Sequence, residues 1–386
     1  MSDTTSLYSI CLSCKRLSSH AQERLLRHCA LDRGNNSFAI PHGVIWRHDT
    51  LEHLAFALTQ GVASKSITSL HLHWSSAQAD IHLIPNLIRH TPKIRYLTLD
   101  LYESAWHPQD SFSPELPVSS MHTAFEQLER LSHLYLRFTS VAHVDFYFYR
   151  FSAMRLDDLQ CLRLEGLVDL HINATTRPKP FLPKLELLDL ENFNLRPGEL
   201  HHLLESFLAF SCLQELRICA GLVRDVLYEL PSSLHESLQA LILDVGQCDF
   251  PIDLKPLQHF RNLSRMDLWA SVSSDDLSWL PSSLLELNFY LDRQQIELIA
   301  MRLLDIEFLP NLRQLQLLFF EWEGSYRDVS QRSLLMRDGS KHVYDLARVA
   351  MSRQIKVEPA ELLPTQQELS SQLCTLTLSE IQREIH

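Results

Sequence analysis

The chain of 386 residues is 45% hydrophobic and 21% charged, a globular balance that excludes disorder and provides material for a long core. Its formal net charge of −12, with no dense Lys/Arg run to reverse that sign locally, repels phosphate backbones and anionic headgroups, so neither nucleic acid nor a membrane surface is an expected partner. Eight scattered cysteines suit reduced thiols in cytoplasm or nucleus rather than a disulfide framework, and no apolar run is long enough to span a bilayer.

Residues 6–31, SLYSICLSCKRLSSHAQERLLRHCAL, come first in chain order. Apolar residues at Leu7, Ile10, Leu12 and Leu17, and then at Leu25, Leu26 and Leu31, predict a pair of helices. Lys15 and Arg16 follow the apolar stretch instead of preceding it, the wrong order for a secretory signal. This segment resembles the later part of a fungal-type F-box. The family's opening Leu-Pro and acidic residue have no counterpart ahead of Leu7. The resemblance implies docking of the Skp-family adaptor of a cullin–RING, SCF-type ubiquitin ligase, through Leu7, Ile10, Leu12, Lys15, Leu17, Leu25 and Leu26. The alternative is a ligase-independent scaffold, in which the same helices only cap a repeat array. Residues 32–66 are expected to be a helical connector.

From residue 67 the pattern L-x-x-L-x-L recurs with apolar swaps. Its instances start at Ile67, Ile94, Leu131, Leu159, Leu185, Leu213, Leu238, Leu263, Leu284 and Leu312. Starts lie 21 to 37 residues apart and most lie 25 to 28 apart, within the period of leucine-rich repeats. The last two apolar positions of each motif are two apart, which puts both side chains on one face of a strand. Between strands, stretches such as Gly198 to Phe210 carry leucines at helical spacing and should cover the sheet's buried face. Leu182-Pro183, Leu280-Pro281 and Leu309-Pro310 precede strands, with Leu230-Pro231 further upstream; each proline should hold its predecessor extended and aim the chain into the next strand. A Leu-rich α/β protein whose motifs are helical is the competing reading.

The array resembles leucine-rich-repeat proteins of the F-box and ribonuclease-inhibitor kind. That resemblance implies an α/β solenoid, an irregular horseshoe with a parallel sheet on the concave face, helices or loops on the convex face, and a helical N-terminal cap. The Asn or Cys that the family carries three residues after the motif is replaced here, by Tyr102, Thr139, Leu167, Phe193, Gly221 and Phe320 among others. The expected organisation is an F-box-like remnant or cap at 1–31, a connector at 32–66, repeats at 67–326, a capping helix and edge strand at 327–358, and a tail at 359–386. In the cap, His342 to Arg353 reads as a helix, and Ile355 and Val357 as a final strand.

The third, fifth and seventh residues of each motif alternate with the buried ones and should face a partner. Aromatic residues and arginines dominate binding hot spots, which selects Tyr96, Tyr135, Arg137, Arg163, Arg217, Trp269 and Tyr290. Arg163, Asp189 and Arg217 share a position in consecutive strands, so pairing along the sheet is the alternative role for them. Carboxylates outnumber arginines at these positions, which suggests a partner with some basic character. The sequence holds no Gly-rich phosphate loop, G-x-S-x-G or H-E-x-x-H, and Cys11-x-x-Cys14 lacks a second pair at ligand spacing. No metal, cofactor or catalytic residue is therefore expected. The expected function is a protein-binding module holding an unidentified protein on its concave face.

Overall fold

The structure is a computed structural model that describes residues 28–32, 44–47, 67–75, 83–102, 124–125, 127–128, 130–139, 144–147, 156–171, 182–194, 198–207, 212–219, 225–244, 252–269, 272, 275–290, 293–318 and 341–358. The chain divides into two compact units, Met1–Ser237 and Leu238–His386.

The described residues of the first unit form nine strands: β1 (His28–Asp32), β2 (Val44–Arg47), β3 (Ser69–Ser75), β4 (Tyr96–Tyr102), β5 (His133–Thr139), β6 (Val144–Tyr147), β7 (Cys161–His171), β8 (Leu187–Asn194) and β9 (Glu215–Cys219). They lie in the order β9-β8-β7-β5-β4-β3-β1-β2, with β6 beside β7, and every pairing is parallel. The second unit orders β14 (Lys356–Glu358), β13 (Gln314–Leu318), β12 (Glu286–Tyr290), β11 (Arg265–Trp269) and β10 (Ala240–Asp244), again all parallel.

The last two apolar positions of all ten motifs lie on strands, which removes the helical reading of them. Register is the reason they stack. Leu70, Leu97, Leu134, Leu162, Leu188 and Leu216 are consecutive partners, as are Leu72, Leu99, Leu136, Leu164, Leu190 and Ile218. Each of these is at most 3% exposed, so the period-2 alternation forms one continuous apolar layer. The first residue of each motif lies before the strand and is also buried. Ile94, Leu159 and Leu185 each donate an N–H to the carbonyl three residues back, in Thr91, Leu156 and Leu182. Leu284 and Leu312 do the same to Pro281 and Leu309. This turn swings the chain into the sheet.

A second regularity links neighbouring strand entries. The Arg95 carbonyl accepts the N–H groups of Ser132 and His133, the Ser132 carbonyl those of Gln160 and Cys161, and the Gln160 carbonyl those of Glu186 and Leu187. Ser264 and Leu285 serve Leu285/Glu286 and Arg313/Gln314 in the same way. Backbone groups therefore fix the stacking register where no side-chain ladder was legible in the sequence.

The return segments explain the uneven period. Steps of 27 or 28 residues carry α1 (Leu83–Arg89), α2 (Glu199–Phe207) and α3 (Arg293–Leu303), whereas steps of 21 or 25 carry 3-10 turns at Val226–Glu229, Ser232–His235, Lys255–His259 and Asp276–Trp279. A 3-10 turn rises about 2.0 Å per residue against about 1.5 Å for an α-helix, so fewer residues span the same return. In α2, Leu200, Leu203 and Leu204 are fully buried, giving the helix its apolar stripe. The final helix α4 (Lys341–Ser352) packs on α3, and β14 pairs with β13 as the edge strand, matching the helix-then-strand expectation.

Three expectations need correction. Residues 28–31, read as the end of a helix pair, are strand β1; Cys29 and Leu31 take the register positions of Leu70 and Leu72, so pairing with β3 overrides local helical spacing. Residues 32–66 are not wholly a helical connector, because Val44–Arg47, rich in β-branched and aromatic residues, forms β2 against β1. Leu309 precedes a proline but is not extended: its φ is 47°, in the left-handed region. The Arg353 guanidinium reaches the carbonyls of Leu303, Phe308 and Leu309 at 3.2, 2.9 and 2.6 Å and holds that turn in place. Leu230 and Leu280 do adopt extended conformations ahead of their prolines, as expected.

Candidate functional site

The period-2 pattern that buries the leucines leaves the third, fifth and seventh motif residues on the opposite, open face of each sheet. In the first unit these residues form two registered rows of chemistry. The fifth-position row runs His71, Thr98, Tyr135, Arg163, Asp189, Arg217, and the seventh-position row His73, Asp100, Arg137, Glu165, Glu191, Cys219.

Their side chains form a chain of ion pairs from β3 to β9. His73 Nδ1 lies 2.8 Å from Asp100 Oδ2, and Arg137 Nη1 lies 3.8 Å from the same oxygen. Arg137 Nε is 2.8 Å from Glu165 Oε1, an ion pair in which the N–H is not aligned on the oxygen. The Tyr135 hydroxyl donates a short hydrogen bond to Glu165 Oε2, while the Arg163 guanidinium lies 5.0 Å from the Tyr135 ring centre. Arg163 Nε donates to Asp189 Oδ2 at 2.8 Å, and Arg217 reaches Asp189 at 4.0 Å and Glu215 at 2.6 Å. Side chains 26 to 37 residues apart thus meet because neighbouring strands stand about 4.8 Å apart.

Burial sets the protonation balance of this face. It pushes the Asp189 carboxyl up, with Arg163 and Arg217 opposing, and it raises the Tyr135 phenol with help from the hydrogen bond to Glu165. The Glu191 carboxyl is raised first by burial and then by the charges of Glu165 and Asp189. A cavity of about 420 Å³ opens at the strand entries between β5 and β9, lined in part by His133, Cys161, Arg163, Glu186, Glu215 and Arg217. Cys161 and His133 are register partners there. Burial raises the thiol and lowers the imidazole, the reverse of what a thiolate–imidazolium pair would need.

Of the partner-facing residues selected from sequence, Tyr135, Arg137, Arg163 and Arg217 come together in this network. Tyr96 stands next to it on β4, 46% exposed and tilted against the His133 ring at 4.6 Å between centres. The three arginines are engaged with carboxylates of their own sheet, which for Arg163 and Arg217 is the alternative the sequence had left open. Trp269 and Tyr290 belong to the second unit; Trp269 is half-buried, and the Tyr290 side chain lies outside the described residues, although its backbone pairs with Leu318. In that unit Arg265 and Asn288 both bond Asp267, which is buried. The adaptor-contact set, Leu7, Ile10, Leu12, Lys15, Leu17, Leu25 and Leu26, lies outside the described residues. Sequence reasoning placed Asp100, Glu165, Asp189 and Glu191 on the open face as carboxylates and turned His73 toward it, but did not select them as site residues.

Among the described residues, no group of three or more His, Cys, Asp or Glu side chains is placed to hold a metal ion, and no helix is long and apolar enough to cross a membrane. No protein-family model matches the chain, and no curated protein matches it in sequence.

Proposed function

We propose that this chain is a leucine-rich-repeat receptor that holds another protein on the open face of its sheets. Through the F-box-like segment at residues 6–31 it presents that protein to the Skp-family adaptor of a cullin–RING ubiquitin ligase, acting in cytoplasm or nucleus without catalysing a reaction itself. One observation carries the binding half of this reading. The parallel sheet of the first unit has one face filled by registered leucines and the other lined by Tyr96, Tyr135 and a row of charged groups. A surface of aromatic and arginine residues on a rigid scaffold suits recognition of a protein, where anchors of this kind dominate affinity. The adaptor half rests on the F-box resemblance and on the order of the two modules.

A ligase-independent scaffold is favoured by a different observation: the end of the F-box-like segment enters the sheet as β1, which pairs with both β2 and β3. A segment joined to the array in that way also serves as its cap.

Co-expression of the full chain with a Skp-family adaptor separates the two. The receptor reading expects a stoichiometric complex on gel filtration that Leu12→Asp with Leu25→Asp abolishes while the melting transition is retained. A folded chain that elutes without adaptor overturns it, and loss of folding in the double variant supports the cap.

A further inference from the structure

We propose that the open face between β4 and β8 receives a basic, extended segment of the partner protein, with one lysine or arginine side chain seated on the Glu165–Glu191 pair. The proposal rests on the protein-receptor reading above and names the chemistry of the partner.

Among the described residues the face carries more acid than arginine. Along β3 to β9, Asp100, Glu165, Asp189, Glu191 and Glu215 face three arginines and His73, and each of these is already engaged: His73 with Asp100, Arg137 with Asp100 and Glu165, Arg163 with Asp189, Arg217 with Asp189 and Glu215. Glu191 makes no hydrogen bond or ion pair among the described residues. It stands in register with Glu165 on the next strand, an arrangement of like charges that destabilises a sheet when nothing intervenes. The two backbones are about 4.8 Å apart, so one guanidinium or ammonium can touch both carboxylates.

The same row is only partly satisfied at its other end. Asp100 is 5% exposed, and its Oδ1 is buried with no hydrogen-bond partner. The Arg137 Nε–H, 2.8 Å from Glu165 Oε1, is not aligned with any acceptor. A half-satisfied polar row of this kind is costly in the free protein, and a small shift of Asp100 on binding would let its free oxygen accept from an incoming lysine or arginine. Exposed Tyr96 and half-buried Leu187 stand on the same strands four residues before Asp100 and Glu191 and supply apolar contact for the rest of a bound segment. The row crosses five strands from His73 to Glu191, about 19 Å at the usual spacing, a span that suits a peptide rather than a small cation.

The test uses the full chain and fluorescein-labelled octapeptides of alternating Arg and Ser, or alternating Glu and Ser, read by anisotropy at neutral pH. The expected result is binding of the arginine peptide alone, weakened roughly tenfold by Glu191→Gln and abolished by Glu191→Arg, with Asp158→Asn at the turn before β7 unchanged. Glu191→Gln is near-isosteric, and a retained or raised melting temperature verifies that it folds. No binding of the arginine peptide, equal binding of the acidic one, or wild-type affinity in Glu191→Gln overturns the proposal. Displacement by spermine at equal charge concentration also overturns it and assigns the face to polyamines. An intact adaptor complex without arginine-peptide binding removes this proposal alone. Arginine-peptide binding without an adaptor complex removes only the ubiquitin-ligase reading.

Discussion

Glu191 and Glu165 stand side by side on β8 and β7, and among the described residues only Glu165 makes a hydrogen bond or ion pair, with Tyr135 and Arg137. Burial and its acidic neighbours hold the Glu191 carboxyl above its ordinary value of 4.5. A carboxyl raised in the folded state favours folding when protonated, so its contribution is present below the ordinary value and is lost as pH rises through the raised one. Glu191→Gln is therefore expected to stabilise the first unit at neutral pH by about 0.5 kcal/mol, a figure kept small because the site is partly solvated, and to give no gain in acid. Urea midpoints at neutral pH and below pH ~4 check both signs. His133 provides the opposite case. Burial lowers its imidazole below 6.5, so stability is present above that value and is lost as pH falls through the range beneath it. Replacement by Gln should flatten the loss of stability between neutral and mildly acid pH, and an unchanged slope would assign that loss to other groups.

Two elements carry stability in ways open to direct measurement. Leu204 on α2 is fully buried, so Leu204→Ala should cost about 2–5 kcal/mol through lost burial and a residual cavity, measured by denaturant unfolding. Arg353, just past α4, caps three carbonyls around the left-handed Leu309 turn. Arg353→Met keeps much of the apolar stem and removes the donors; a loss of roughly 2–3 kcal/mol is expected, with faster amide exchange around residues 303–312. The elements were legible where the signal was local. Ten strands follow from period-2 leucines, and α2 and α4 follow from helical spacing at Leu200, Leu203 and Leu204 and at Leu346, Val349 and Ala350. By contrast, β1 and β2 were hidden because short apolar runs such as Cys29 to Leu31 fit a helix or a strand equally well until a neighbour pairs with them.

For the molecule as a whole, the two proposed interactions fall on different parts of the chain and should separate by mutation. Tyr135→Ala removes an aromatic anchor and a donor to Glu165 from the open face, so it should weaken capture of the arginine peptide several-fold while leaving adaptor co-purification unchanged. Leu12→Asp with Leu25→Asp should do the reverse. A single variant that lost both would mean that the two surfaces are coupled and would count against a modular receptor.

What the sequence alone determined is the alternation: which residues of each motif are buried, that the strands run parallel, and that return segments of unequal length join them. Those features are set within one repeat, by spacing of two along a strand and by leucines at helical intervals, and local patterns of that kind can be read without coordinates. The partners of the charged residues were decided only by tertiary structure. Arg163 meets Asp189 and Arg137 meets Glu165 across gaps of 26 and 28 residues, because the register of neighbouring strands sets who stands beside whom. That register follows from backbone bonds such as those received by the Arg95 and Ser132 carbonyls, which no side-chain pattern announces. The sequence showed a face on which carboxylates outnumber arginines and tyrosines stand among them. The register sets the arginines against that face's own carboxylates and leaves Glu191 with no hydrogen bond or ion pair among the described residues.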